Sequence, residues 1–224
     1  MQDQDEPPLP WREAARQVMY EATLREAEQR YGSRHPVYNY RWEHVNAVYT
    51  LAMRLARLTG ADLEVIEAAA WLHDVAKEAG RDHPRLGAVF AREFLPKTDF
   101  PPEKIERVAR TIEDHMGLWR EEPLATLESQ VLWDADKLAK LGLTAAFHWI
   151  GGDLAGRDSQ TTEMLIARAR DVDWQEKTVA SMHTAPARRA AEARLKSFRT
   201  LWTKLAAELA GDDLENGRGP QPAS

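Results

Sequence analysis

"AAAWLHDVAK", residues 68–77, is an apolar run interrupted by His73 and Asp74 side by side. It lies in a longer segment, 62–78, whose Leu63, Val65, Ile66, Ala68, Ala69, Ala70, Trp71, Leu72 and Val75 make it apolar nearly all round. A helix of that kind sits centrally in its domain. His73 and Asp74 are therefore expected near the middle of the fold, where an unpaired carboxylate is costly or changes its protonation. Two partners would relieve that cost: a bound cation, or a buried His–Asp hydrogen-bonded pair with other neighbours. Adjacent helical positions diverge by ~100°, enough for two ligands to approach one ion from different sides.

Outward from this segment almost everything reads as helix. The pattern predicts helices near 11–30, 40–58, 62–78, 84–95, 102–116, 123–141, 143–150, 160–181 and 186–210, with no sustained period-two alternation that would mark strands. Gly60 follows the second helix, Asp62 can cap the third, and Pro84, Pro101, Pro102 and Pro123 stand where first helical turns tolerate proline. The expected class is all-α. Residues 1–10 and 211–224 are polar and rich in Pro and Gly and are expected to be poorly ordered tails around one domain over 11–210. There is no internal repeat. The last helix is amphipathic and could pack on the rest of the chain or on a second copy, so a homodimer is one expectation.

Composition narrows the function classes. Of the 224 residues 43% are hydrophobic and 29% charged, a balance typical of soluble globular proteins. The net charge of -6, with no run of Lys and Arg, offers no track for a nucleic-acid polymer. There is no cysteine, so a transition metal would have to be held by His, Asp and Glu. "MQDQDEPPLP" at the start lacks the pattern of a signal peptide and no stretch has the length of a bilayer span, so no membrane association and a cytoplasmic location are expected.

Two further places put ionisable residues into apolar helices. In "YRWEHVNAVYTLAMRLARL" His44 points within ~40° of Val48, Leu51, Leu55 and Leu58, on the apolar stripe; taken alone, such a histidine is more often a core residue than a ligand. In "VLWDADKLAKLGL" Asp134 and Asp136 point ~160° apart, so at most one can enter a common site. Periodicity does not choose between them. Asp134 aligns with Leu127, Val131 and Leu138, and Asp136 with Leu132, Ala139 and Leu143.

The ordered set His44, His73-Asp74, Asp136 resembles the H…HD…D signature of the HD-domain superfamily of metal-dependent phosphohydrolases, carried by "RWEH", "LHDVAK" and "DADKL". The resemblance covers roughly residues 40–140. A weaker likeness, in "MHTAPARRAAEARLKSF", extends to the closing helix of small bacterial HD hydrolases. It implies an HD-domain helical bundle with additional C-terminal helices over 143–210, and its A-D-x-L context selects Asp136 as ligand with Asp134 in reserve. His83 and His115 resemble the extra histidines of subfamilies that hold two metals; otherwise His83 is a loop residue and His115 a helix C-terminal cap.

On that resemblance His44, His73, Asp74 and Asp136 would hold one divalent ion, Asp74 bridging to a second on His83 and His115. Mn, Fe, Zn, Ni and Mg all suit such ligands. The implied activity is hydrolysis of a phosphate ester or anhydride, of a nucleotide above all, by metal-activated water. Lys77, which "HDxxK" places beside the site, is expected to contact phosphate and serve catalysis with Asp74; Arg41 is a weaker candidate for substrate. Asp114 could orient a ligand, though a plain surface carboxylate is favoured. Trp119 could stack on a base, and His35, His148 and His183 are taken as structural or surface residues. Alternatives are a phosphodiesterase for a signalling nucleotide, a non-catalytic nucleotide-sensing module on the same scaffold, and a metal-free helical scaffold.

Overall fold

The computed structural model describes residues 9–156, 160–171 and 173–214. It is all-α: α1 (Trp11–Tyr31), α2 (Tyr40–Thr59), α3 (Leu63–Leu72), α4 (His83–Phe94), α5 (Ile105–Glu113), α6 (Leu127–Leu138), α7 (Leu143–Gly156), α8 (Thr162–Arg170), α9 (Asp173–Ala180) and α10 (Ala185–Ala210). Among the described residues there is no strand, only an isolated bridge between Leu9 and Thr98. Of the expected tails, residues 1–8 and 215–224 lie outside the described residues. Leu9 accepts from Asp99 N at 3.1 Å, and a 3₁₀ turn over Asp212–Leu214 follows α10.

Local chemistry sets the helix starts. Asn39 accepts from Trp42 N at 3.1 Å at the head of α2, Asp62 from Glu64 N at 3.1 Å at α3, and Thr126 from Ser129 N at 3.2 Å at α6. Each satisfies a backbone donor that has no partner inside its helix. Gly60, with φ 82°, closes α2 in the left-handed conformation that an L side chain rarely adopts.

The expected helix over 62–78 is shorter than its composition suggests. α3 ends at Leu72, and the chain tightens into i+3 turns: Val75 N donates to Leu72 O at 3.1 Å and Lys77 N to Asp74 O at 3.1 Å. His73 thus caps the helix and Asp74 follows it, instead of both lying mid-helix. The helices expected at 102–116 and 123–141 also shrink, to α5 and α6, whereas that at 143–150 runs on to Gly156. The helix expected over 160–181 is two: α8 stops where Asp171 turns to ψ 88°, and α9 begins at Asp173; residue 172 is outside the described residues.

One core is built from α1 to α6, with Val48, Ala52, Ile66, Ala69, Leu72, Ala88, Ile112, Val131 and Leu138 fully buried. A second, smaller core joins Ala145 and Ala146 of α7, Ile166 and Ala169 of α8, and Phe198 and Trp202 of α10. Each of those aromatic side chains contributes about 1.5–3 kcal/mol by leaving water. α10 belongs to both, since its first half puts Ala187 and Ala191 into the main core. Its Ala187, Ala191, Phe198 and Trp202 are therefore covered within the chain while Leu209 stays exposed, and it ties α7 and α8 to the first six helices.

Candidate metal centre

Five separate segments bring their ionisable side chains to one buried place. The first turn of α2 supplies Arg41 and His44, and the turn after α3 supplies His73, Asp74 and Lys77. α4 contributes its first residue, His83; the turn after α5 contributes His115, and α6 contributes Asp136. The expected ligands fall into two triads, His44–His73–Asp136 and Asp74–His83–His115, each with ligand atoms within 4.8 Å of one another and all six residues buried. Asp74 joins them. Its Oδ2 lies 3.7 Å from His44 Nε2 and 3.5 Å from His73 Nε2, while its Oδ1 lies 3.2 Å from His83 Nε2 and 3.6 Å from His115 Nε2.

The imidazoles are oriented for ligation. Nδ1 of His73, His83 and His115 is hydrogen-bonded to the carbonyl three residues earlier, Ala70 at 2.8 Å, Gly80 at 2.6 Å and Ile112 at 2.5 Å. A carbonyl can only accept, so Nδ1 carries the proton and Nε2 is left with its lone pair inward. Nε2 of His44 and of His73 is buried without a hydrogen bond, although His44 Nε2 is 3.0 Å from Asp136 Oδ1. Unpartnered buried nitrogens among carboxylates are costly unless a cation completes the set. The residues present thus fit a divalent metal, and the His and carboxylate donors suit a first-row ion or Mg.

Electrostatics agree. Burial drives His44 down to about 4, against the opposing pull of Asp136, and it also lowers His73 and His115, so all three are neutral at pH 7. Burial alone would raise Asp74, but Lys77 and Arg41 hold it well below the usual carboxylate range. Asp136 is likewise kept ionised, against burial, by Lys137 and Lys140.

Lys77 and Arg41 both touch the site. Lys77 Nζ is 3.1 Å from Asp74 Oδ1 and 2.9 Å from His83 Nε2. Arg41 donates from its NH1 nitrogen to Asp74 Oδ2 at 2.5 Å, and its other nitrogens reach Glu26 at 2.6 and 3.0 Å, so it is first a clamp on the carboxylate. Asp134 goes elsewhere. It accepts from His183 N at 2.9 Å and from Thr184 N and Oγ1 at 2.7 Å each, and so anchors the start of α10 to α6. Asp114 is in neither triad and accepts from Ser129 Oγ at 2.7 Å.

Two lysines that the sequence motifs do not mark complete the neighbourhood. Lys137, fully buried and lowered by burial to about 8, holds one oxygen of Asp136 and donates to His115 O at 3.0 Å; Lys140 holds the other oxygen at 2.6 Å. Only Lys140, four residues on from Asp136, had a spacing signal. A cleft of about 330 Å³ lies over the site, with Arg41, Lys77 and Lys140 in its wall, Arg30 and Arg168 beside them and Asp153 as its one acid. His148 and Trp149 border this cleft, whereas Trp119 does not. His148, expected to be structural or on the surface, is therefore placed beside the site. His183 is structural, accepting from Leu124 N at 3.0 Å, and His35 is exposed.

A profile of the HD domain matches residues 41–141, the span that holds Arg41 and all six clustered residues. The fold is shared with an HD superfamily hydrolase from an uncultured Thermotogales bacterium, at 23% identity and a TM-score of 0.61, over 90% of this chain and 94% of that one. It is shared also with Bacillus subtilis YpgQ in complex with ADP, at 22% identity and 0.62 over 88% and 98%, and with an HD-superfamily hydrolase from Bacillus thuringiensis, at 19% and 0.60 over 87% and 98%. No curated protein matches the chain. Residues 41–141 therefore carry an HD domain, and the chain shares its fold with proteins described as HD-superfamily hydrolases. No helix among the described residues is long and apolar enough to cross a membrane.

Proposed function

We propose that the chain hydrolyses a phosphate ester or anhydride of a nucleotide. His44, His73, Asp74 and Asp136 would hold one divalent ion, and Asp74 with His83 and His115 a second. Such ions, when bound, polarise phosphoryl oxygens and acidify water toward neutral pH. The chain's own residues do the rest. Lys77, Lys140 and Arg41 present positive charge to the phosphoryl group from one wall, and the carbonyl-bonded histidines keep their Nε2 atoms fixed.

The observation that carries the proposal is the cleft. Five cationic side chains and one carboxylate border it, and three of those cations also touch Asp74 or Asp136. A space of that charge beside buried donor triads suits an anion with several oxygens. That YpgQ is seen with ADP supports a nucleotide as that anion. The test is elemental analysis of protein purified without chelator, followed by phosphate release from nucleoside mono-, di- and triphosphates, cyclic nucleotides and dinucleoside polyphosphates with several divalent ions. One or two ions per chain with metal-dependent release is the expected result. Metal-replete protein inert toward the whole panel would refute it.

A further inference from the structure

We infer that the chamber walled by Tyr40, Leu118, His148, Trp149 and Trp174 seats a heteroaromatic base, while the phosphates point past Lys140 toward the metal ligands. This rests on the phosphohydrolase reading and adds to it the surface that selects the substrate. The chamber, about 290 Å³, shares Tyr40, Leu118, Lys140, His148 and Trp149 with the cationic cleft, so the two spaces are continuous. Along them the chemistry changes from guanidinium and ammonium groups to aromatic and apolar walls, with Lys140 at the junction. A nucleotide has the same polarity over its length, a flat π-surface at one end and anionic oxygens at the other.

His148 gives the chamber a polar element. It is only 7% exposed, and its Nδ1 is buried without a partner. The ring is held by the Tyr40 edge, with centroids 5.3 Å apart at 81°, and by Tyr38 at 6.3 Å. Gly151 permits this placement, because a Cβ there would lie 2.5 Å from the Tyr38 ring. α7 is thereby seated close against the segment that leads into α2.

His148, Trp149 and Trp174 all lie beyond residue 141, outside the span matched by the HD domain, whereas every clustered His and Asp lies inside it. The HD domain carries the donor triads and lends Leu118 and Lys140 to the chamber, while Tyr40 and the C-terminal helices supply its aromatic wall.

The experiment measures binding to manganese-loaded protein by calorimetry. The probes are the α,β-methylene diphosphates of adenosine, guanosine, cytidine and uridine, methylenediphosphonate, which lacks a nucleoside, and the four free nucleosides. The best nucleoside analogue is expected to bind about ten-fold or more tighter than methylenediphosphonate, the size of one base–aromatic stack. Trp174→Ala should remove that advantage. Leu118→Trp, on an exposed loop where it fills the chamber without disturbing the core, should do the same. Equal affinity of analogues and methylenediphosphonate in the unmodified protein, an advantage that survives both substitutions, or no binding of any probe overturns the inference. Nucleosides that bind where methylenediphosphonate does not would keep the chamber and remove the phosphohydrolase reading.

Discussion

Asp134 and Asp136, two residues apart and both fully buried, should fail in opposite ways when replaced. Asp134→Ala leaves the backbone N–H groups of His183 and Thr184 without an acceptor at the start of α10. An unsatisfied buried donor costs about 1–3 kcal/mol, so with the Thr184 hydroxyl free to turn elsewhere the two donors together cost about 2–6 kcal/mol. In a chain of this size each kcal/mol shifts Tm by about 2–4 °C, which gives a fall of about 4–24 °C. Its metal content, and the rise in Tm when manganese is added to chelator-treated protein, should persist. An ion at about a thousand times its Kd stabilises by about 4 kcal/mol, hence a rise of about 8–16 °C. Asp136→Asn should abolish most of that rise, since the carboxylate shared with His44 and His73 is gone. Thermal unfolding with chelator and with manganese, paired with elemental analysis, separates the two. An Asp134→Ala protein that loses metal at unchanged Tm, or an Asp136→Asn protein that keeps the full manganese shift, would refute the assignment.

His83→Ala or His115→Ala should lower the metal content by about half while the first ion stays, as elemental analysis would register; unchanged content would mean that one ion is held. Lys77→Met should reduce kcat/KM about 10–100-fold, the worth of a hydrogen bond to a charged group, with metal content held, because Lys77 faces the cleft and is not a donor to the metal. Undiminished turnover would remove Lys77 from phosphate binding. Asp62, whose carboxyl is lowered by Lys104, the Val65 N–H and Arg107 against the upward pull of burial, should stabilise the fold with a pH signature. Its folded pKa lies below the unfolded one, so the advantage of the wild type over Asp62→Asn should be complete above about pH 4 and vanish as pH falls through the folded pKa. Denaturant unfolding of both proteins at several pH values checks this, and a pH-independent difference would contradict it.

The helices were legible because caps and apolar periods act locally, as Asn39, Asp62 and Gly60 do in α2 and α3. Where α3 stops was not. Ala76, Lys77 and Glu78 are good helix formers, and the tightening after Leu72 belongs to a site assembled from four other segments. Asp134 and Asp136 could not be told apart by period because α6 is buried on all sides from Val131 to Leu138, leaving no wet face to serve as a reference. Only their neighbours differ, the start of α10 for one and two lysines with His44 for the other, and of those neighbours Lys140 alone, four residues on from Asp136, follows a helical spacing. The triads were legible through the resemblance alone, since a lone inward histidine reads as core. The chamber was not, because Trp149 and Trp174 come from separate helices outside the motif span.

The charges of the site explain why one pocket can be stable without metal and still demand an anion with it. Asp74 and Asp136 are each gripped by two cationic side chains, Arg41 and Lys77 for the first, Lys137 and Lys140 for the second, while Glu26 offsets Arg41. Four cations therefore face three carboxylates before any ion enters, and the histidines, lowered by burial, add no charge at pH 7. This keeps both ligand carboxylates ionised and ready, where lone buried acids would take up protons. Two divalent ions would then leave the place strongly positive at low dielectric, a state that only incoming negative charge relieves. Lys140 reaches both Asp136 and the open cleft, so under the proposed function it would couple occupancy of the metal ligands to affinity for phosphate.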